Sequence, residues 1–319
     1  EVTGSRLGIT VELSDARDGD VVWAERYSGT VDDVHALRGE IRSKILAALE
    51  IQIPLHEASA ARLTDSKNLD AWSAYHLGLQ HIYHFNRGDN AKAEQLFGQA
   101  VASDPTFARA HAGLSFVHFQ KAFMRQTDDV SGAIKLSRES AQRGVDIDPL
   151  DPFVNFTMGR SYWLEADLDR ALAWIERAVS LSPNYAQGLY ARAWTEAIAG
   201  HAGESRRDLD MAMRLSPLDP LYYAMLSARG FTHLVDGDFA GATRWCEQGA
   251  RSPGAHVLIA MVAAVAQWLA GNEAAARAWA ANVRERNSAL READFLAAFP
   301  LKSAGVRAQV SGALRALGF

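Results

Sequence analysis

Cysteine is nearly missing from this 319-residue chain: Cys246 stands alone. One thiol excludes a disulfide framework and a thiolate metal site by count, and it fits a reducing, cytoplasmic compartment. A basic excess is missing too. The 33 Lys and Arg face 38 Asp and Glu, a net charge of -5, so no electrostatic pull toward nucleic acid or an acidic membrane is expected. Long apolar runs are scarce: Val257 to Ala270 is interrupted by Gln267 and falls short of the ~20 residues a membrane-spanning helix needs. The opening EVTGSRLGITVEL has no basic start followed by an apolar stretch, so no signal peptide is read. It begins inside a strand pattern without an initiator Met, which reads as part of a longer protein. Also absent are Gly-x-Ser-x-Gly, the phosphate-binding Gly-x-x-x-x-Gly-Lys loop, the dinucleotide fingerprint and His-Glu-x-x-His. Neither an enzyme nor a cofactor is expected from these residues.

What the chain has is repetition. Pro149, Pro183 and Pro217 recur every 34 residues. Between Pro152 and Pro183 the text reads PFVNFTMGRSYWLEADLDRALAWIERAVSLSP, with small residues at Gly159, Ala171 and Ala178, larger ones at Tyr162 and Ile175, and a closing Pro183. Gly159 and Ala171 let two helices cross with backbones close, Tyr162 and Ile175 fill the flanks, and proline stops the second helix. This is the spacing of a tetratricopeptide (TPR) helix-turn-helix unit. Looser copies follow the same positions: Gly78, Ala93, Phe97 and Ala100; Ala193, Ser205, Leu209 and Ala212; Gly230, Ala242, Cys246 and Gly249; Ala264, Ala276, Ala280 and Val283. The longer interval from Pro105 to Pro149 places about ten inserted residues at Ala122 to Val130.

The predicted organisation is mostly α: a TPR-type α-solenoid superhelix behind a short β-hairpin and helix. Six units span 70–288, and two weaker helices in 289–319 cover the face of the last unit. Ahead of them, residues 6–13 and 21–27 alternate as strands around the turn DARDGD, and Val31 to Ile53 carries helical apolar spacing until Pro54 closes it. Residues 1–53 form this first region and 54–69 a connector. A hairpin and one helix cannot bury a core alone, so either upstream sequence completes them or they dock on the solenoid. The open hairpin edge and Trp23 offer a surface for a homodimer.

Concave positions of the first helix in each unit hold Trp72 and Tyr75, then Phe107, then Phe153, Phe156, Arg160 and Trp163, then Gln187, Tyr190 and Trp194, then Phe231. Aromatic side chains in that arrangement read as a groove for a protein or peptide partner or a small apolar ligand. Tight curvature, or a covering by the amino-terminal segment, would instead make them core. A peptide-carboxylate clamp needs Lys, Asn and Arg on neighbouring helices, and only Arg160 with Asn155 faces the right way. His81 and His84 can share one helix face, but no cysteine or clustered carboxylate completes a metal site in the sequence. Acidic pairs such as Asp32–Asp33 and Asp128–Asp129 fall at helix starts, where a carboxylate complements the dipole.

The segment from Gly4 to Leu49 resembles the end of a TolB-type αβ domain of large bacterial regulators. Val11, Glu12, Leu13, Asp15, Ala16, Gly19, the run Trp23 to Tyr27, and Asp33 carry the likeness. NLDAWSAYHLGL, DNAKAEQLFGQAVASDPTFARAHAGLS and DPLDPF are similar to the TPR portion of the same proteins. The resemblance implies a regulatory region lying downstream of a winged-helix DNA-binding domain or of a class III adenylate or guanylate cyclase. Its motifs here are structural, so it implies no catalytic or metal residues and no direct nucleic-acid contact. The first expectation is a sensory or interaction region of a transcriptional regulator; a cyclase's regulatory tail and a passive scaffold are the alternatives.

Overall fold

The computed structural model describes residues 2–3, 5–30, 32, 34–62 and 69–319. Strand β2 (Arg6–Ser14) pairs antiparallel with β3 (Val21–Thr30), and β1 (Val2–Thr3) adds to the far side of β2. The Asp15–Asp20 turn is closed by the Asp15 amide donating to the Asp20 carbonyl at 2.8 Å, with Gly19 at φ +81° supplying the left-handed step.

Helix α1 (Val34–Ala61) does not stop at Pro54, which lies inside it. An internal proline forfeits one amide and crowds the preceding turn. Contacts beyond it hold the helix together: His56 meets the Asp15 carboxylate at 2.7 Å, and Glu57 accepts from the Trp72 indole at 3.0 Å. Ala58 and Ala61 are buried. The sheet thus leans on the second half of α1, and α1 packs on the first solenoid helix. The proposed helix start at Val31, the acidic Asp33 and connector residues 63–68 lie outside the described residues.

Twelve helices then run as six antiparallel pairs. They are α2 (Ala71–Ile82) with α3 (Arg87–Ser103), α4 (Ala108–Phe123) with α5 (Val130–Ile147), and α6 (Pro152–Leu164) with α7 (Leu168–Leu181). Next come α8 (Ala186–Ala199) with α9 (Ala202–Leu215), α10 (Tyr222–Val235) with α11 (Phe239–Arg251), and α12 (Val257–Leu269) with α13 (Glu273–Arg286). The extra residues of the second unit lengthen α4 and α5 to 16 and 18 residues, against 13 and 14 for α6 and α7. Small residues sit where helices cross. A Cβ on Gly159 would stand 2.5 Å from Ile175 and 2.9 Å from the Ala171 carbonyl; one on Gly230 would meet Cys246 Sγ at 2.3 Å. Asp129, Asp151, Asp167 and Asp238 each cap a helix start by accepting a backbone amide, which accounts for the acidic residues there.

The superhelix is tight enough to close on itself. Tyr83 at the end of α2 donates its hydroxyl to Gln187 on α8 at 3.0 Å. In the turn after α2, Phe85 adopts φ +49° and stacks on His256, at the start of α12, with ring centroids 5.1 Å apart. First and sixth units therefore meet across the concave side.

The tail divides. Helix α15 (Ala304–Ala316) packs on α12, and Leu317 joins Ala264, Ala276 and Ala280 in a small apolar cluster. Helix α14 (Glu292–Ala298) comes before α15 in the chain. It and the following Phe299 enter the concave channel, where Phe299 stacks on Trp194 at 5.1 Å and meets Phe123 edge-on at 5.7 Å.

Candidate ligand-binding channel

Of the eleven groove positions Trp72 alone is exposed, at 46%, while Phe107 is half-buried and Gln187 is buried. Tyr75, Phe153, Phe156, Arg160, Trp163, Tyr190, Trp194 and Phe231 are all buried. The open trough is corrected to a filled channel. Superhelical closure supplies one wall. The cover is the carboxyl-terminal α14–Phe299 segment rather than the amino-terminal region. Trp72 lies outside the channel, with its indole on Glu57 of α1.

Four of these positions converge. Arg160 on α6 points into a ring of aromatic faces, with its guanidinium 5.3 Å from the centroids of Phe119 and Trp163 and 5.6 Å from those of Phe156 and Tyr190. Among the described residues its Nε has no hydrogen-bond partner. The side chain is 6% exposed, and among the described residues no carboxylate pairs with it. Burial pulls the Arg160 pKa down, while the phenols of Tyr190 and Tyr185 oppose that. Beside the guanidinium lies a cavity of about 20 Å³, walled in part by Phe123, Trp163, Trp194, His256 and Phe299. His256 is pushed down to about 3, first by burial and then by the Arg286 charge, so it is neutral at pH 7. Its Nδ1 and the Tyr223 hydroxyl, both buried, lack partners as well.

The stopper over this chamber is held by polar links at its rim. The Trp163 indole donates to the Ala298 carbonyl at 2.8 Å, and Arg125 pairs with Asp294 at 3.0 Å. The Lys302 amide donates to the Ile198 carbonyl at 3.1 Å, and its ammonium meets Asp169 at 2.5 Å. Sequence reasoning missed Phe85, Phe119, Phe123, His256 and Phe299. The pairs Phe119–Phe123 and Phe295–Phe299, each four apart on a helix, were the available signal. Asn155, the other member considered for a clamp, spends its amide on the Pro149 and Asp151 carbonyls and is structural.

A carboxylate does join the histidines at the α2–α3 turn. Asp89 lies 2.6 Å from His81 Nδ1 and 3.2 Å from His84 Nδ1, and the three ligand atoms fall within 4.8 Å of one another. Burial opposes ionisation of Asp89, but hydrogen bonds from Asn86 and His81 and the charge of His84 hold its pKa at about 2. These three residues could supply imidazole and carboxylate ligands to a divalent transition ion. As they stand, they bond to one another.

No family model matches the chain. A curated relative described as "Putative adenylate cyclase 3", from Rhizobium meliloti strain 1021, is 27% identical over 178 residues, 54% of this chain and 28% of that protein. The chain thus spans well under a third of the relative's length. Among solved structures, the APC/C hetero-tetramer Cut9-Hcn1 is similar over 89% of this chain and 56% of that one, with a TM-score of 0.55 at 14% identity. TTC0263, a TPR protein of Thermus thermophilus, is similar over 62% of this chain and 99% of that one, with a TM-score of 0.48 at 18% identity. The likeness to Cut9-Hcn1 and the six helix pairs together give the conclusion that the chain has a TPR-type α-solenoid fold with a small amino-terminal β-sheet.

Proposed function

We propose that this chain is the non-enzymatic regulatory region of a bacterial signalling protein, with a concave channel that takes a partner or small ligand and reports its occupancy to an output domain. The observation that carries the reading is the α14–Phe299 segment, which lies in the channel as a bound peptide would. It is held there by the buried Phe295, Ala298, Phe299 and Leu301 and by a few polar links at the rim. An occupant favouring the segment-out arrangement shifts the population only by its difference in affinity between the two arrangements. The output is a winged-helix transcriptional regulator or a nucleotide cyclase, and the name of the curated relative supports the cyclase. No described helix is long and apolar enough to cross a membrane. Self-association through the β3 edge belongs to the same reading, and sedimentation velocity on the isolated chain checks it.

The test is charge reversal at the rim in the whole-gene product. R125E sets two carboxylates against each other at α14 and is expected to change cyclic-nucleotide output or promoter binding at unchanged helix content. The swap R125E/D294R is expected to restore it. Output indifferent to R125E overturns the reading.

A further inference from the structure

A guanidinium withdrawn from water is destabilising unless an opposite charge or a full set of acceptors replaces the solvent. Arg160 has neither. Aromatic faces compensate in part, but they carry no net charge and accept no in-plane hydrogen bond at Nε. A planar guanidinium presents its Nε and one Nη as a parallel fork, the match for a carboxylate. The space beside it, about 20 Å³, holds about one water-sized group, room for one oxygen of such an anion and too little for the rest. The space next to that is held by the benzyl ring of Phe299, stacked on Trp194 and 6.3 Å from Phe231. The chamber therefore has one charged end and an aromatic slot that Phe299 fills. A cationic ligand would meet Arg160 and the nearby Arg286 charge. A phosphate dianion also matches the fork, but its tetrahedral head and second charge need more room and more neutralisation than about 20 Å³ beside one guanidinium supplies.

We propose that the Arg160 chamber binds a small monocarboxylate with a planar apolar group, its carboxylate on the guanidinium and its ring in the slot Phe299 holds. The assignment rests on the channel being a ligand-binding face. It differs from a peptide-carboxylate clamp in using a single buried arginine and no exposed Lys or Asn. Ligand entry pushes Phe299 aside, which is how occupancy would reach α14 and the rim pairs.

Trp163 and Trp194 wall the chamber, so indole fluorescence of the isolated chain reads it directly. Benzoate and phenylacetate are titrated against benzamide and phenylacetamide, with melting temperature followed in parallel. The expected result is a saturable fluorescence change and a raised Tm with the acids and not with the amides. R160M should melt at or above the parent, because an unpaired buried charge has gone, and should bind the acids at least tenfold more weakly. R160K, which keeps the charge and loses the fork, should fall between and gives the comparison if R160M does not fold. Equal response to acids and amides, an unaltered response in R160M or R160K, or no response to either acid overturns the proposal. If the acids fail while R125E still changes output, the ligand class falls and the regulatory reading stands. If they bind while R125E is silent, the reverse holds.

Discussion

Glu196 is a buried acid on α8 whose Oε2 has no partner among the described residues. Burial, with the Asp208 charge added, raises its pKa from 4.5 to about 7. Because the folded form holds the proton more tightly than the unfolded form, this residue's share of stability is present below about pH 4.5. It is lost as pH rises through about 7. E196Q should therefore leave stability unchanged at pH 4.5 and raise it by roughly 1–2 kcal/mol at pH 8, solvent screening reducing the full shift. Urea unfolding at the two pH values checks this. Ala171 poses the opposite case, a site with no slack: it is fully buried, and its carbonyl stands 2.9 Å from where a Gly159 Cβ would be. A171L should cost ~1–3 kcal/mol by overpacking the crossing, again read by urea unfolding. Both small positions were legible in the sequence because the crossing imposes size at fixed spacing. The fate of the aromatic positions was not. Their spacing places Trp163 and Trp194 on the concave side whether that side faces water or a neighbouring ring.

Elements show the same division. The helix pairs could be placed from Gly159, Ala171 and Pro183 and their looser copies, since each pair is a local solution to packing two helices over a short turn. Two elements escaped that logic for lack of information about their targets. Pro54 was a reasonable helix stop by local rules, but Asp15, Arg17 and Trp72 bind the turn beyond it and carry α1 on to Ala61. The seven-residue α14 carries its anchors, Phe295 and Phe299, openly in sequence, yet nothing there says that they face a channel lined from other units. Removing the anchor ring with F299A should cost ~3–5 kcal/mol if the segment stays docked in the ground state, measured by urea unfolding. A loss well below that range would mean that the segment is displaced at little cost. The same variant should increase acrylamide quenching of tryptophan fluorescence, because Trp163 and Trp194 lose their cover.

For the whole molecule, closure changes how stability is distributed. In an open solenoid each unit touches only its neighbours, so substitutions in distant units add. The sequence reading, which treats the units as a string, implies that additivity. The structure instead brings Phe85 of the first unit against His256 of the sixth, and Tyr83 of the first against Gln187 of the fourth. Phe85 reaches His256 from a left-handed backbone position that bulky residues occupy rarely and at a cost of ~1–2 kcal/mol. That cost is sustained when the ring contact across the channel is favourable. A double-mutant cycle on F85A and H256A should accordingly show a coupling energy of ~0.5–3 kcal/mol, although 171 positions separate them. Replacing Phe85 by leucine and His256 by phenylalanine, which keeps apolar contact, should recover part of it. Additive single effects would describe an open superhelix whose ends ignore each other. The channel would then be a trough, and neither the burial of Arg160 nor the docking of Phe299 would be enforced by the fold. Coupling of the expected size makes the channel a closed chamber, in which anything that enters must first move a part of the chain that the rest of the molecule can sense.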